Sequence, residues 1–123
     1  MLEESLAKER EIGAVQRKSF RRAHAAGVNI VFGSDAGVYP HGMNGRQFAK
    51  MVEFGMTPMQ AIQAAAVRAA ALLGLENQVG VLNEGAFADL IAVQGNPLEN
   101  VAVLENIGFV MKGGEVFLNE ISN

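Results

Sequence analysis

Apolar residues along this chain recur first at helical spacing and later in short runs cut by glycine. From residue 3 to about 26, Ile12, Val15, Ala23 and Ala26 fall on one face of a helix. Glu3 and Glu4 open that helix and Arg21 and Arg22 lie near its end, both favourable against the helix dipole. Gly27 supplies the stop, and Gly13 marks a place where the helix could break. Val28–Phe32 is an apolar run between Gly27 and Gly33, the pattern of a buried strand. A loop rich in glycine follows, from Gly33 to Gly42. Asn44–Phe54 reads as a helix with Phe48, Met51 and Val52 on its apolar side, stopped by Gly55. Thr57-Pro58 then opens a further helix, threonine as N-cap and proline at the first helical position. Met59, Ile62, Ala66, Ala69 and Leu73 give it a stripe, and its many alanines allow close packing before Gly74 ends it.

Beyond residue 78 the texture changes. Short β-like runs at 79–82, 88–93, 108–111 and 116–118 are separated by turn residues, and Lys112-Gly113-Gly114 reads as a hairpin turn. The expected organisation is therefore an α/β segment over 1–78 and a mostly β segment over 79–123.

Composition narrows the function classes. The 123 residues are too few for a complete (β/α)8 barrel, which takes roughly 250. No cysteine is present, so disulfides and thiolate metal sites are excluded. Net charge is −3, unevenly placed: residues 1–26 hold six basic and four acidic side chains, and the rest hold four basic and nine acidic. A basic stripe with stacking aromatics is missing, so nucleic acid is not an expected partner. No apolar run reaches the ~18 residues of a membrane span, and the acidic start does not resemble a signal peptide. The expectation is a cytoplasmic chain with no membrane partner.

The chemistry that stands out is a carboxylate. Asp35 is one of only two aspartates and stands just beyond the carboxyl end of the predicted strand, where parallel α/β folds gather ligands and catalytic groups. There it could ligate a metal or take a proton from metal-bound water, or simply cap a turn. His41, six residues on in the same loop, could meet substrate or metal, or be a solvated loop histidine. His24, near the end of the first helix, reads as structural. The Gly33-x-Asp-x-Gly37 spacing does not fit a phosphate loop. The six methionines read as core filling. Asp89, the other aspartate, reads as a turn or strand-edge carboxylate.

Several stretches together carry a resemblance. Ala26-Gly-Val-Asn-Ile-Val-Phe-Gly-Ser-Asp35-Ala-Gly37, then Tyr39-Pro-His41-Gly-Met-Asn44, resembles the last barrel strand and following loop of metal-dependent amidohydrolases. Met56-Thr-Pro-Met-Gln-Ala-Ile-Gln-Ala-Ala resembles the last barrel helix, Gly85-Ala-Phe-Ala-Asp89-Leu-Ile-Ala-Val the small β-sandwich domain, and Val110-Met-Lys-Gly-Gly-Glu-Val its closing hairpin. The branch most resembled contains imidazolonepropionase-like enzymes and Xaa-Pro dipeptidases. The resemblance implies the last strand and flanking helices of a (β/α)8 metallo-hydrolase barrel, followed by strands of a β-sandwich. It implies hydrolysis of a C–N bond in a dipeptide or cyclic amide, with Zn2+ or another divalent metal in the full-length enzyme. Asp35 is then a metal ligand and proton shuttle, and His41 and Asn44 lie near substrate. Arg68 and Ser34 depart from the family pattern, where asparagine and threonine are commoner. The family's His-x-His pair is absent, and the chain holds two histidines in all. The expected product is a C-terminal fragment that is inactive without the rest of the barrel. The alternative is a non-catalytic protein of the same fold that associates with itself or a partner, and self-association is expected in either case.

Overall fold

The computed structural model describes residues 2–33 and 44–121. The first helix, α1 (Leu2–Ala25), starts with Glu3 and Glu4 in its first turn and ends with Arg22 and His24 in its last. Its end is a Schellman arrangement: Gly27, at φ 79°, donates to the His24 carbonyl, and the Val28 N–H donates to the Ala23 carbonyl. Gly13 does not break it. A glycine in a solvated helix interior costs about 1 kcal/mol relative to alanine, which its helix-forming neighbours offset. Only the last turns pack against the body. Phe20 meets Phe54 edge-on with ring centroids 6.2 Å apart, and the Arg21 guanidinium lies 5.6 Å from the same ring centre. The predicted apolar face is therefore largely uncovered among the described residues: Ile12 and Val15 are 56% and 61% exposed.

Val28–Phe32, predicted as a strand, has no strand pairing among the described residues. A strand needs a ladder, and no other strand lies beside this segment here. The run is nevertheless placed. The Phe32 N–H donates to the Ala64 carbonyl at 3.0 Å, and Ile30 and Phe32 pack on the core.

That core lies between α2 (Arg46–Glu53) and α3 (Pro58–Ala65), and consists of Met51, Met56, Ala61 and Ala64, with Phe48 and Val52 against it. The Thr57 expectation holds in detail. Its Oγ1 accepts from the Gln60 N–H at 3.2 Å, and the Gln60 Oε1 accepts from the Thr57 N–H at 2.9 Å, a complete capping box. The predicted stripe does not hold. Met59 is 46% exposed and Leu73 is 70% exposed, while Ala61 and Ala64 are wholly buried. Alanine is the only side chain on α3 short enough to let the helix approach the two methionines closely.

The single helix expected after Pro58 is two. Ala66, at φ −114° and ψ −92°, separates α3 from α4 (Val67–Leu72). Gly80 presses against this joint: a Cβ there would lie 2.8 Å from the Ala66 carbonyl carbon and oxygen. The run 79–82, predicted as a strand, forms no strand, because it continues the turn that leaves α4. The Val79 N–H returns to the Leu75 carbonyl and the Phe87 N–H to the Gln78 carbonyl.

The remaining runs form an antiparallel sheet in the order β1 (Leu90–Val93), β2 (Ile107–Lys112), β3 (Glu115–Asn119). The hairpin turns through Gly113 and Gly114 at φ 59° and 82°, the paired positive angles of a tight two-residue connection that matches strand twist. Between β1 and β2 a 3-10 helix, Val101–Glu105, is capped by the Asn100 side chain and buries Val101 and Leu104. It packs on α2 and so joins the sheet to the helical part. The join leaves no room at Gly45, where a Cβ would lie 2.6 Å from the Leu104 carbonyl oxygen. Gly45→Ala is expected to cost about 1–3 kcal/mol. It is checked by thermal or urea unfolding against the unchanged chain, and an unshifted midpoint refutes the fit.

Candidate functional site

Asp35 and His41 lie outside the described residues, as does Met43. What the structure describes is how the segment between 33 and 44 is entered and left. At the entry, Phe32 stacks on Phe48 with ring centroids 5.0 Å apart and planes 29° apart. Phe48 lies in the first turn of α2, the helix to which the chain returns at Arg46. At the exit, the Asn44 carbonyl accepts from the Gln47 N–H at 3.1 Å, and Gly45 is the N-cap. Both ends of the segment are thus tied to one helix end.

Asn44 is the predicted substrate-site residue that the structure describes. Its backbone starts the helix, and its side chain does something else. Oδ1 is buried and accepts no hydrogen bond among the described residues. A buried acceptor without a partner costs about 1–3 kcal/mol. Such an atom can accept an N–H or O–H from an incoming group without first giving up another bond.

A separate cleft of about 480 Å³, which Asn44 does not line, is formed by Gly45, Arg46, Asn100, Ala102, Glu105 and Asn106. Arg46 Nε and Glu105 Oε1 span its rim at 3.5 Å, an exposed pair of small energetic weight. Sequence reading gave no hint of this cleft. It arises from docking the 3-10 helix on α2, and the only trace of that docking is a glycine at position 45.

Among the described residues, no group of three His, Asp or Glu side chains could hold a metal ion. His24 is half-buried on α1, with its ring facing Gly55 of the α2–α3 turn. Asp89 has the structural place expected of it. Its Oδ1 accepts from the Gly113 N–H at 2.8 Å, and the neighbouring Ala88 carbonyl accepts from the Gly114 N–H at 3.1 Å. The carboxylate closes the hairpin turn. No helix among the described residues is long and apolar enough to cross a membrane.

Comparison with known proteins places this arrangement. The model of the amidohydrolase family matches residues 2–117, and the chain belongs to that family. Ochratoxinase of Aspergillus niger is 36% identical over 122 residues, an overlap of 95% of this chain and 25% of that protein. The chain thus spans about a quarter of the length of the curated relatives it matches. Among solved structures, a Xaa-Pro dipeptidase with methionine bound in its active site is 48% identical, with a TM-score of 0.81 over 84% of this chain and 25% of that one. The ochratoxinase structure superposes with a TM-score of 0.80 at 35% identity, over 97% of this chain and 28% of that one. The fold is accordingly a portion of the amidohydrolase barrel architecture together with a three-stranded antiparallel sheet.

Replacing Asp89 by alanine is expected to open the turn and cost about 1.5–3 kcal/mol, the range for a hydrogen bond to a charged group. Amide exchange at Gly113 reports it directly. Undiminished protection there would contradict the assignment.

Proposed function

We propose that this chain is the segment of a metal-dependent amidohydrolase that carries the loop after the last barrel strand, and that the whole protein hydrolyses a C–N bond. The single observation behind this reading is the 48% identity and 0.81 TM-score with a Xaa-Pro dipeptidase. A dipeptide or a cyclic amide is the substrate class.

In this reading Asp35 is the ligand that the chain contributes to a divalent metal, Zn2+ or a similar ion. The described residues do not assemble a metal site of their own. The remaining ligands belong to parts of the barrel that this chain does not span. When bound, the metal polarises the scissile carbonyl and acidifies a water. The Asp35 carboxylate takes the proton of the attacking water and returns it to the leaving nitrogen. His41 and Asn44 hold substrate. The unpartnered Asn44 Oδ1 supports that role, since it is an acceptor suited to an amide N–H or an ammonium group.

A second reading, a non-catalytic chain that associates with itself, is favoured by one observation: the first half of α1 is exposed, apolar positions included. Hydrolysis of a dipeptide by a protein that carries the whole barrel separates the two.

In a protein carrying the whole barrel, Asp35→Asn is expected to abolish hydrolysis of a Xaa-Pro dipeptide and to lower bound metal. Retained turnover refutes the role. Asn44→Ala there is expected to raise KM about tenfold or more, with a smaller effect on kcat, as loss of one substrate hydrogen bond would. Elemental analysis of the 123-residue chain alone, on a size-resolved peak, is expected to find no stoichiometric zinc. One zinc per chain would mean that a site is assembled without the rest of the barrel.

A further inference from the structure

Asn44 is the only asparagine in the chain that is followed by glycine. In such a pair the glycine nitrogen can attack the side-chain amide carbon of the asparagine, because no side chain at the second position shields it. Here the glycine is obligatory. A Cβ at Gly45 would lie 2.6 Å from the Leu104 carbonyl oxygen and 3.1 Å from the Glu105 Cα. The joint between α2 and the 3-10 helix therefore obliges the chain to keep a reactive pair.

The reacting atoms are not tied up in the secondary structure. Gly45 is the N-cap of α2, and an N-cap N–H has no partner within its helix. It donates to no backbone carbonyl among the described residues. The Asn44 Oδ1 accepts no hydrogen bond there either. Packing supplies the brake instead. Oδ1 is buried, and the Asn44 carbonyl accepts from the Gln47 N–H at 3.1 Å. That bond holds the peptide unit whose nitrogen is the nucleophile, so attack requires the start of α2 to open.

We propose that Asn44 is a site of spontaneous deamidation, and that its rate is set by opening of the joint between α2 and the 3-10 helix. The Gly45 nitrogen bonds to the Asn44 Cγ and gives up its proton. The Cγ–Nδ2 bond breaks, and ammonia leaves with that proton. Water then opens the cyclic imide at one carbonyl or the other, leaving aspartate or isoaspartate at position 44. No electron is exchanged, and water is the only co-reactant. Either product puts a carboxylate where a neutral amide with a buried oxygen stood, which costs stability. Isoaspartate also adds a methylene to the main chain beside a glycine that has no slack against Leu104. Conversion thus loosens the joint, and the amide is not regained. The inference is independent of the hydrolytic reading.

Peptide mapping by mass spectrometry tests it on the purified 123-residue chain, incubated near neutral pH at body temperature. A synthetic peptide spanning residues 40–50 gives the rate without the brake. Position 44 is expected to yield both aspartate and isoaspartate, about tenfold or more slowly in the chain than in the peptide, as local opening that precedes reaction requires. Leu104→Ala, which removes a buried side chain of the 3-10 helix, is expected to bring the rate towards that of the peptide. Urea below the unfolding midpoint is expected to do the same in the unchanged chain, so the test survives a variant that fails to fold. Equal rates in chain and peptide overturn the inference, because nothing is then gated. An Asn44 that stays intact in urea while the peptide converts overturns it as well. So does slow conversion that urea leaves unchanged.

Discussion

Close approach at α2 is the constraint on which the described structure depends. On one side Met51 and Met56 meet Ala61 and Ala64, all four buried. At its first turn Phe48 takes the Phe32 ring. Just before that turn, Gly45 lies so near the Leu104 carbonyl that no side chain can stand in its place. One eight-residue helix thus positions the run before the functional loop, the helix pair behind it and the β unit. Exposed ion pairs such as Arg46–Glu105 decorate the joint and do not make it.

Local chemistry was legible in the residues, and long-range fit was not. Thr57-Pro58 announced its helix because the N-cap, the proline and Gln60 act within four positions. Gly27 and the Gly113-Gly114 pair declared a helix end and a turn because each conformation is set by one or two residues. The stripe through Met59 and Leu73 misled, since periodicity names a face by its larger side chains. The face actually buried carries alanines, packed against Met51 on α2 and Met56 in the connection that follows it. The break at Ala66 and the turn at 79–82 were invisible for a related reason. They answer to a contact between residues fourteen positions apart, Ala66 and Gly80, and a glycine in a sequence does not say what it makes room for. Val28–Phe32 shows a further limit. The run has strand composition and core-facing side chains, yet strand identity belongs to a pair of segments and not to one.

The candidate site divides along the same line. Asp35 and His41 could be singled out from their place after an apolar run, and the family resemblance gave them roles. Asn44 stood out only through that resemblance. Its buried oxygen, without a partner among the described residues, is a three-dimensional fact that no local pattern announces.

The contact between Asp89 and the glycine turn couples the first strand to the shape of the hairpin. The Gly113 N–H points at the Asp89 carboxylate only after both glycines have taken left-handed angles, so the carboxylate recognises a finished turn and not its sequence. β2 and β3 are separated by two residues and can zip within microseconds, whereas β1 must close a loop that includes the 3-10 helix. Asp89 therefore reads the finished turn from the neighbouring strand. The first strand thus holds its register against the sheet through a side chain as well as through the ladder.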